Sequence, residues 1–169
     1  MPPPPRWAAQ GLTLRPVCPD DRDFLRVLFG DVRADEVALA GWPEPRSETF
    51  LDSQFALQSA HFDLYFAPAD AQIVEAAGQP IGRLYLHDSP EGRLVVDISL
   101  LQAWRGRGLG TALLRQVQIQ TRRSGLACTW LHVEARNIGA MRLYKRLGFQ
   151  IVDRGATHWR MEWKPSGRA

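Results

Sequence analysis

The chain has 169 residues, 45% of them hydrophobic and 23% charged, the size and balance of one soluble domain with a substantial core. No apolar run approaches membrane-spanning length and no signal-peptide core stands at the N-terminus, so a cytoplasmic location is expected. The net charge of +3 conceals an asymmetry: residues 1–80 carry 12 Asp+Glu against 6 Lys+Arg, and residues 81–169 carry 6 against 15.

A proline run from Pro2 to Pro5 cannot form a helix or central strand, so residues 1–10 read as a flexible tail and 11–165 as a single domain. Gly11 to Arg15 alternates like a first strand. Pro19-Asp20-Asp21 then opens a helix with acids in its first turn. A short helical segment from Val32 to Leu39 ends at Gly41, and Gly41 to Pro45 reads as loop. Arg46 to Ala60 is predicted as helix, while the aromatic run Phe62 to Phe66 fits a strand or irregular chain. Gln72 to Ala76 and Ile81 to Leu86 flank a turn and predict a hairpin, and His87 to Gly92 turns into the next strand.

The stretch from Arg93 to Arg115 carries the first chemistry. An apolar strand from Leu94 to Leu101 turns through Gln102-Ala103-Trp104 into Arg105-Gly106-Arg107-Gly108-Leu109-Gly110. From Leu109 the pattern is helical, with Leu109, Ala112, Leu113 and Val117 on one face, to about Arg123. Strand, glycine turn and helix start together make an anion site. The first helix amides have no internal partner, the dipole is positive there, glycine lets the backbone approach, and two arginines add charge. Two common phosphate motifs are excluded, since no GK[ST] end is present and Thr111 stands where a GxGxxG frame needs glycine. A flexible connection with two solvated arginines is the plainer alternative.

Cys128 to Glu134 predicts a strand, with Trp130, His132 and Glu134 on one face. Asn137 caps a helix closed by Gly148, and two strands follow at Phe149 to Val152 and His158 to Trp163. Tyr144 on that helix can be an ordinary core-edge residue. Cys18 and Cys128 fit no metal or redox spacing, and no metal site is expected.

Two motifs carry a resemblance. Arg-x-x-Gly-x-Gly, from Arg105 to Gly110, resembles the coenzyme A pyrophosphate loop of the GNAT N-acetyltransferases. Asn137, Ala140, Leu143, Tyr144, Gly148 and Phe149 resemble that family's later signature, in the correct order. The resemblance covers roughly residues 71–164 and implies an α/β (α+β) fold, a mixed sheet of about six to seven strands flanked by helices and splayed at the acetyl-CoA site.

It further implies that the pyrophosphate lies on the amides of Arg107 to Thr111, with Arg105, Gly106, Gly108, Leu109 and Gly110 forming the loop. The pantetheine arm would pair with Leu100 and Leu101, Asn137 would touch that arm, and Tyr144 would sit near the thioester sulfur. Gln102 departs from the proline of many relatives. The implied function is direct acetyl transfer from acetyl-CoA to a primary amine, without metal.

Tyr144 is then the expected general acid and His132 the expected base, with Asp97, Glu134 or a water chain as rivals. The alternative is a non-catalytic protein of this fold that binds coenzyme A. The expected partner is a small-molecule or protein amine, with neither nucleic acid nor membrane involved, and a homodimer is left open. Acceptor selection is expected from the N-terminal part, including Trp42, Glu44, His61, Phe62, Asp63 and Tyr65.

Overall fold

The computed structural model describes residues 1–67 and 69–165. Seven strands form one sheet, β1 (Leu12–Pro16), β2 (Asp70–Ala76), β3 (Gln79–Ser89), β4 (Gly92–Leu100), β5 (Thr129–Glu134), β6 (Gln150–Arg154) and β7 (His158–Trp163), in the order β1-β2-β3-β4-β5-β7-β6. All neighbours are antiparallel except β4 and β5, which run parallel. The helices are α1 (Arg22–Val32), α2 (Ala34–Ala40), α3 (Glu44–Phe66), α4 (Leu109–Arg123) and α5 (Ile138–Arg146).

The helices bury two separate apolar clusters. The larger gathers Leu113, Leu114 and Val117 of α4 with Met141 and Tyr144 of α5, over Val74, Leu84, Val95, Leu131, Val133 and Met161 of the sheet. The smaller joins Phe29 of α1 to Leu51 and Phe55 of α3. Strand alternation explains the division, because Leu131 and Val133 join the α4–α5 core while His132 and Glu134 between them project from the opposite face.

The predicted order of elements holds, with three local differences. Helix α3 begins at Glu44, inside the expected loop, since proline is tolerated in a first helical turn where its missing N–H costs nothing. It also runs on through the aromatic segment expected to be strand or irregular. Phe62 and Phe66 stack at i, i+4 with centroids 5.9 Å apart and dock on Tyr85 and His87 of β3. Strand β3 in turn extends through His87–Ser89, leaving a tight turn of Pro90 and Glu91 before β4.

Within residues 1–10, expected as a flexible tail, Met1, Pro4 and Trp7 pack inward while the others are exposed. Trp7 is 3% exposed within the main cluster and Pro4 is buried beside it. One large aromatic outweighs the chain entropy that the prolines had already reduced. Among the described residues no helix is long and apolar enough to cross a membrane.

Candidate active site

The loop between β4 and α4 holds its glycines in backbone conformations that other residues resist. Gly106 and Gly108 have φ of 74° and 80°, and a Cβ at either position would point into open space. Among the described residues, no backbone carbonyl accepts from the amides of Gly106 to Thr111. These N–H groups converge at the start of a 15-residue helix, where the dipole adds partial positive charge. That arrangement fits a pyrophosphate held by backbone, as coenzyme A would require.

The arginines divide their work differently from expectation. Arg105 was expected to lend its charge to the loop. Instead its Nε donates to the Leu100 carbonyl at 2.8 Å and its Nη2 to Asp31 Oδ2 at 2.5 Å. The same carboxylate accepts from the Gln102 amide at 2.9 Å, so Asp31 of α1 ties the loop entry to the N-terminal helices. Arg107 lies over the Trp104 ring, 4.8 Å from its centroid, and is exposed.

Next to the loop the sheet opens. Strands β4 and β5 pair only from Arg93 to Val95, and a bulge between the Leu86↔Val95 and Tyr85↔Asp97 pairs leaves Val96 as the extra residue. Beyond it β4 stays on β3 and leaves β5. The Leu101 amide donates to Ile81 on the β3 side at 2.9 Å, whereas the Leu100 carbonyl faces Arg105 on the other. Backbone alternation therefore turns Leu100 toward the opening and Leu101 away from it. Of the two residues expected to pair with a pantetheine arm, Leu100 has an amide on the open edge and Leu101 does not. Gly82 makes this geometry possible, because a Cβ there would sit 2.5 Å from the Ser99 carbonyl oxygen and 2.6 Å from Leu100 Cδ2.

A cleft of about 390 Å³ passes through the split. Tyr144 of α5 and Asn137 just before that helix line it, with Val95 to Ser99 from β4, His132 and Glu134 from β5, His158 from β7, Phe29, Glu36 and Gln58 from the N-terminal helices, and Arg33 from the junction of α1 and α2. The Asn137 side chain accepts from the Ala140 amide at 3.0 Å and so caps α5, which fixes the helix end that presents Tyr144. Burial pushes the Tyr144 phenol up to about 12, with the Asp97 charge adding to it, so the hydroxyl keeps its proton at neutral pH.

Asp97 is committed elsewhere as well, accepting from Arg83 Nε at 2.8 Å and from Ser99 Oγ at 2.9 Å. Desolvation lowers the His132 pKa below its ordinary value, and the Arg160 and His158 charges lower it further. The imidazole is neutral at pH 7 and can accept a proton. Its ring meets Trp130 edge-on, with centroids 5.5 Å apart. Cys128 is buried, its Sγ donates to the Glu91 carbonyl at 3.1 Å, and burial raises its pKa, all of which make it a poor nucleophile.

The N-terminal residues expected to select an acceptor do not line this cleft. Trp42 packs edge-on against Phe50, and His61, Phe62 and Tyr65 stack along the end of α3. Arg33, Glu36 and Gln58 are present instead. Nothing in their sequence neighbourhood marks them, since Arg33 is simply the residue where α1 gives way to α2.

Residues 32–149 match the sequence model of the Acetyltransferase (GNAT) family, and the chain belongs to that family. Among curated proteins it is 34% identical to the mycothiol acetyltransferase of Thermobispora bispora over 120 residues, 66% of this chain and 39% of that protein. It is 38% identical to the mycothiol acetyltransferase of Corynebacterium glutamicum over 65 residues, 38% of this chain and 22% of that protein. The Bacillus subtilis N-acetyltransferase YycN is 32% identical over 77 residues, 43% of this chain and 49% of that protein. The chain thus spans less than half of each of these relatives.

Solved structures share the fold at low identity. A PaiA N-acetyltransferase from Thermoplasma acidophilum in complex with coenzyme A superposes with a TM-score of 0.71 at 16% identity, over 91% of this chain and 99% of that one. YncA from Salmonella typhimurium with acetyl-CoA gives 0.61 at 19% identity, over 94% and 96%.

Proposed function

We propose that this protein is an acetyl-CoA-dependent N-acetyltransferase that transfers the acetyl group directly to a primary amine. The observation that carries the reading is a pairing of two features at the β4–β5 gap: a row of unpaired amides, Gly106 to Thr111, in the loop that follows β4, and a buried, protonated Tyr144 lining the cleft between the two strands. Acetyl-CoA would supply the activated acyl group as a thioester.

The chain's own residues do the rest. The amides of Arg107 to Thr111 hold the anionic end, and the Leu100 amide offers a donor to a carbonyl oxygen at the open edge. Tyr144 gives its proton to the departing sulfur, a role that suits a phenol kept protonated by burial. His132, held neutral, takes the proton that the attacking amine must lose. The acids around the cleft, Asp35, Glu36, Asp97 and Glu134, favour a cationic acceptor on arrival.

A screen of primary amines that follows free thiol release from acetyl-CoA tests the reading. Release that depends on the amine and yields its N-acetyl derivative is expected. Coenzyme A binding with no transfer to any amine would favour a non-catalytic binding protein.

A further inference from the structure

The cleft is lined by two arginines, and they differ in what holds them. Arg83 is buried, and its guanidinium donates to Asp97 at 2.8 Å and to Gln58 at 3.1 Å. Arg33 is half-buried and makes no ion pair or side-chain hydrogen bond among the described residues. Its guanidinium lies flat against the Phe29 ring, 3.7 Å from the centroid. Stacking on an aromatic face leaves the edge of the guanidinium, with its N–H donors, directed away from the ring. A planar donor fork without an acceptor, partly withdrawn from water, is costly unless something completes it.

Resting on the acetyltransferase reading above, we propose that Arg33 binds a carboxylate on the acceptor, so that the substrate class is an amino acid or another amine that also bears a carboxylate. The cleft is arranged for such a dipolar molecule. Arg33 stands at the helix side, while Tyr144, Asp97 and Glu134 lie at the split where the amine must meet the acyl group. Arg33, Glu36, Asp97, Glu134 and Tyr144 all line this one cleft, and burial lowers the Arg33 pKa while the charges of Glu36, Asp97 and Glu134 act on it. A fork of guanidinium N–H donors matches the two oxygens of a carboxylate, which an ammonium could not use. The neighbouring acids attract the amine end and discourage a purely anionic ligand.

The test uses matched pairs on the full chain: alanine with alaninamide, β-alanine with its amide, and γ-aminobutyrate with its amide, each assayed by thiol release from acetyl-CoA. The α-amides have the more easily deprotonated amines, so intrinsic reactivity runs against the expected preference. At least one carboxylate should exceed its amide in kcat/KM by about tenfold to hundredfold, the scale of a charge-assisted hydrogen-bonded pair. Arg33→Gln should bring that ratio toward one through KM, and Arg33→Lys should recover part of it. Equal kcat/KM within every pair, or a preference that survives in Arg33→Gln, overturns the proposal.

Calorimetry with the matching N-acetyl amino acids, in the presence of coenzyme A, gives a readout that needs no turnover. Binding that is lost in Arg33→Gln supports the carboxylate site even where no transfer occurs, in which case the acetyltransferase reading fails alone. Absence of transfer together with absence of Arg33-dependent binding overturns the carboxylate site.

Discussion

The glycine loop proposed to hold the phosphates follows β4, and the cleft proposed for the acceptor lies beside the same strand, but the two use different parts of the chain. The loop offers backbone, the consecutive unpaired amides of Gly106 to Thr111, while the preceding Arg105 is turned toward Asp31. The cleft offers side chains: Arg83, Asp97, His132 and Tyr144 each come from a different element, and Arg33 from the junction of α1 and α2. A backbone site tolerates most substitutions and fails when its space is filled. A side-chain site fails when a single functional group is removed, even if the shape is kept.

The largest expected effect lies in the loop. Gly108→Glu should abolish coenzyme A binding by calorimetry, because its carboxylate would occupy the position of a phosphate. Gly108→Ala separates charge from strain, since it shares the φ of 80° at a stability cost of about 1–3 kcal/mol but adds no charge. Binding by a folded Gly108→Glu protein would remove the loop from the coenzyme site.

In the cleft, Tyr144→Phe deletes only a hydroxyl. If that group is the acid, kcat should fall by about 10²–10⁴ while acetyl-CoA affinity changes little. A kcat equal to that of the parent would leave Tyr144 as a core residue beside Phe149.

His132→Gln should be slower by about 10² and should alter the pH profile. The imidazole works as a base only when neutral, so the rate should rise with pH through a pKa below the ordinary 6.5. The mutant should keep only the titration of the acceptor amine, measured on one acceptor of known pKa. An unchanged lower limb would pass the role to Asp97, Glu134 or water. The comparison needs a mutant that melts cooperatively and still binds acetyl-CoA.

The smallest effect concerns the tie between the two regions. Asp31→Asn keeps an oxygen for the Gln102 amide but loses the charge that holds Arg105, and the pair is partly exposed. Coenzyme A affinity should weaken by about twofold to fivefold, with little change in melting temperature. Tighter binding in the mutant would mean that a released Arg105 serves the phosphates directly.

The amino-acid sequence by itself determined the pieces whose causes are local. A glycine turn leaves the first amides of the following helix without internal partners, and that helix spans Leu109–Arg123 as its periodicity requires. Asn137 caps α5 through the Ala140 amide three residues on, and Gly148 ends it with φ of 84°. Tyr144 then reaches the cleft because helical spacing from that cap leaves it no other face.

Tertiary structure decided what depends on residues far apart in the chain. The opening between β4 and β5 coincides with the bulge at Val96 and with the close approach of β4 to β3 that the missing Cβ of Gly82 allows, neither of which has a periodic signature. Whether Arg105 faces a phosphate or Asp31 is settled by α1, 74 residues earlier. The burial of Trp7 and the helical course of Phe62 to Phe66 were likewise set by the surfaces they meet. Arg33 was the least legible of all, an arginine at a helix junction like many others until Phe29 beneath it and the open cleft beside it left its donors without an acceptor. Spacing along the chain fixes which groups share a helix face or a turn, but only packing brings separate elements close enough for one charge to act on another.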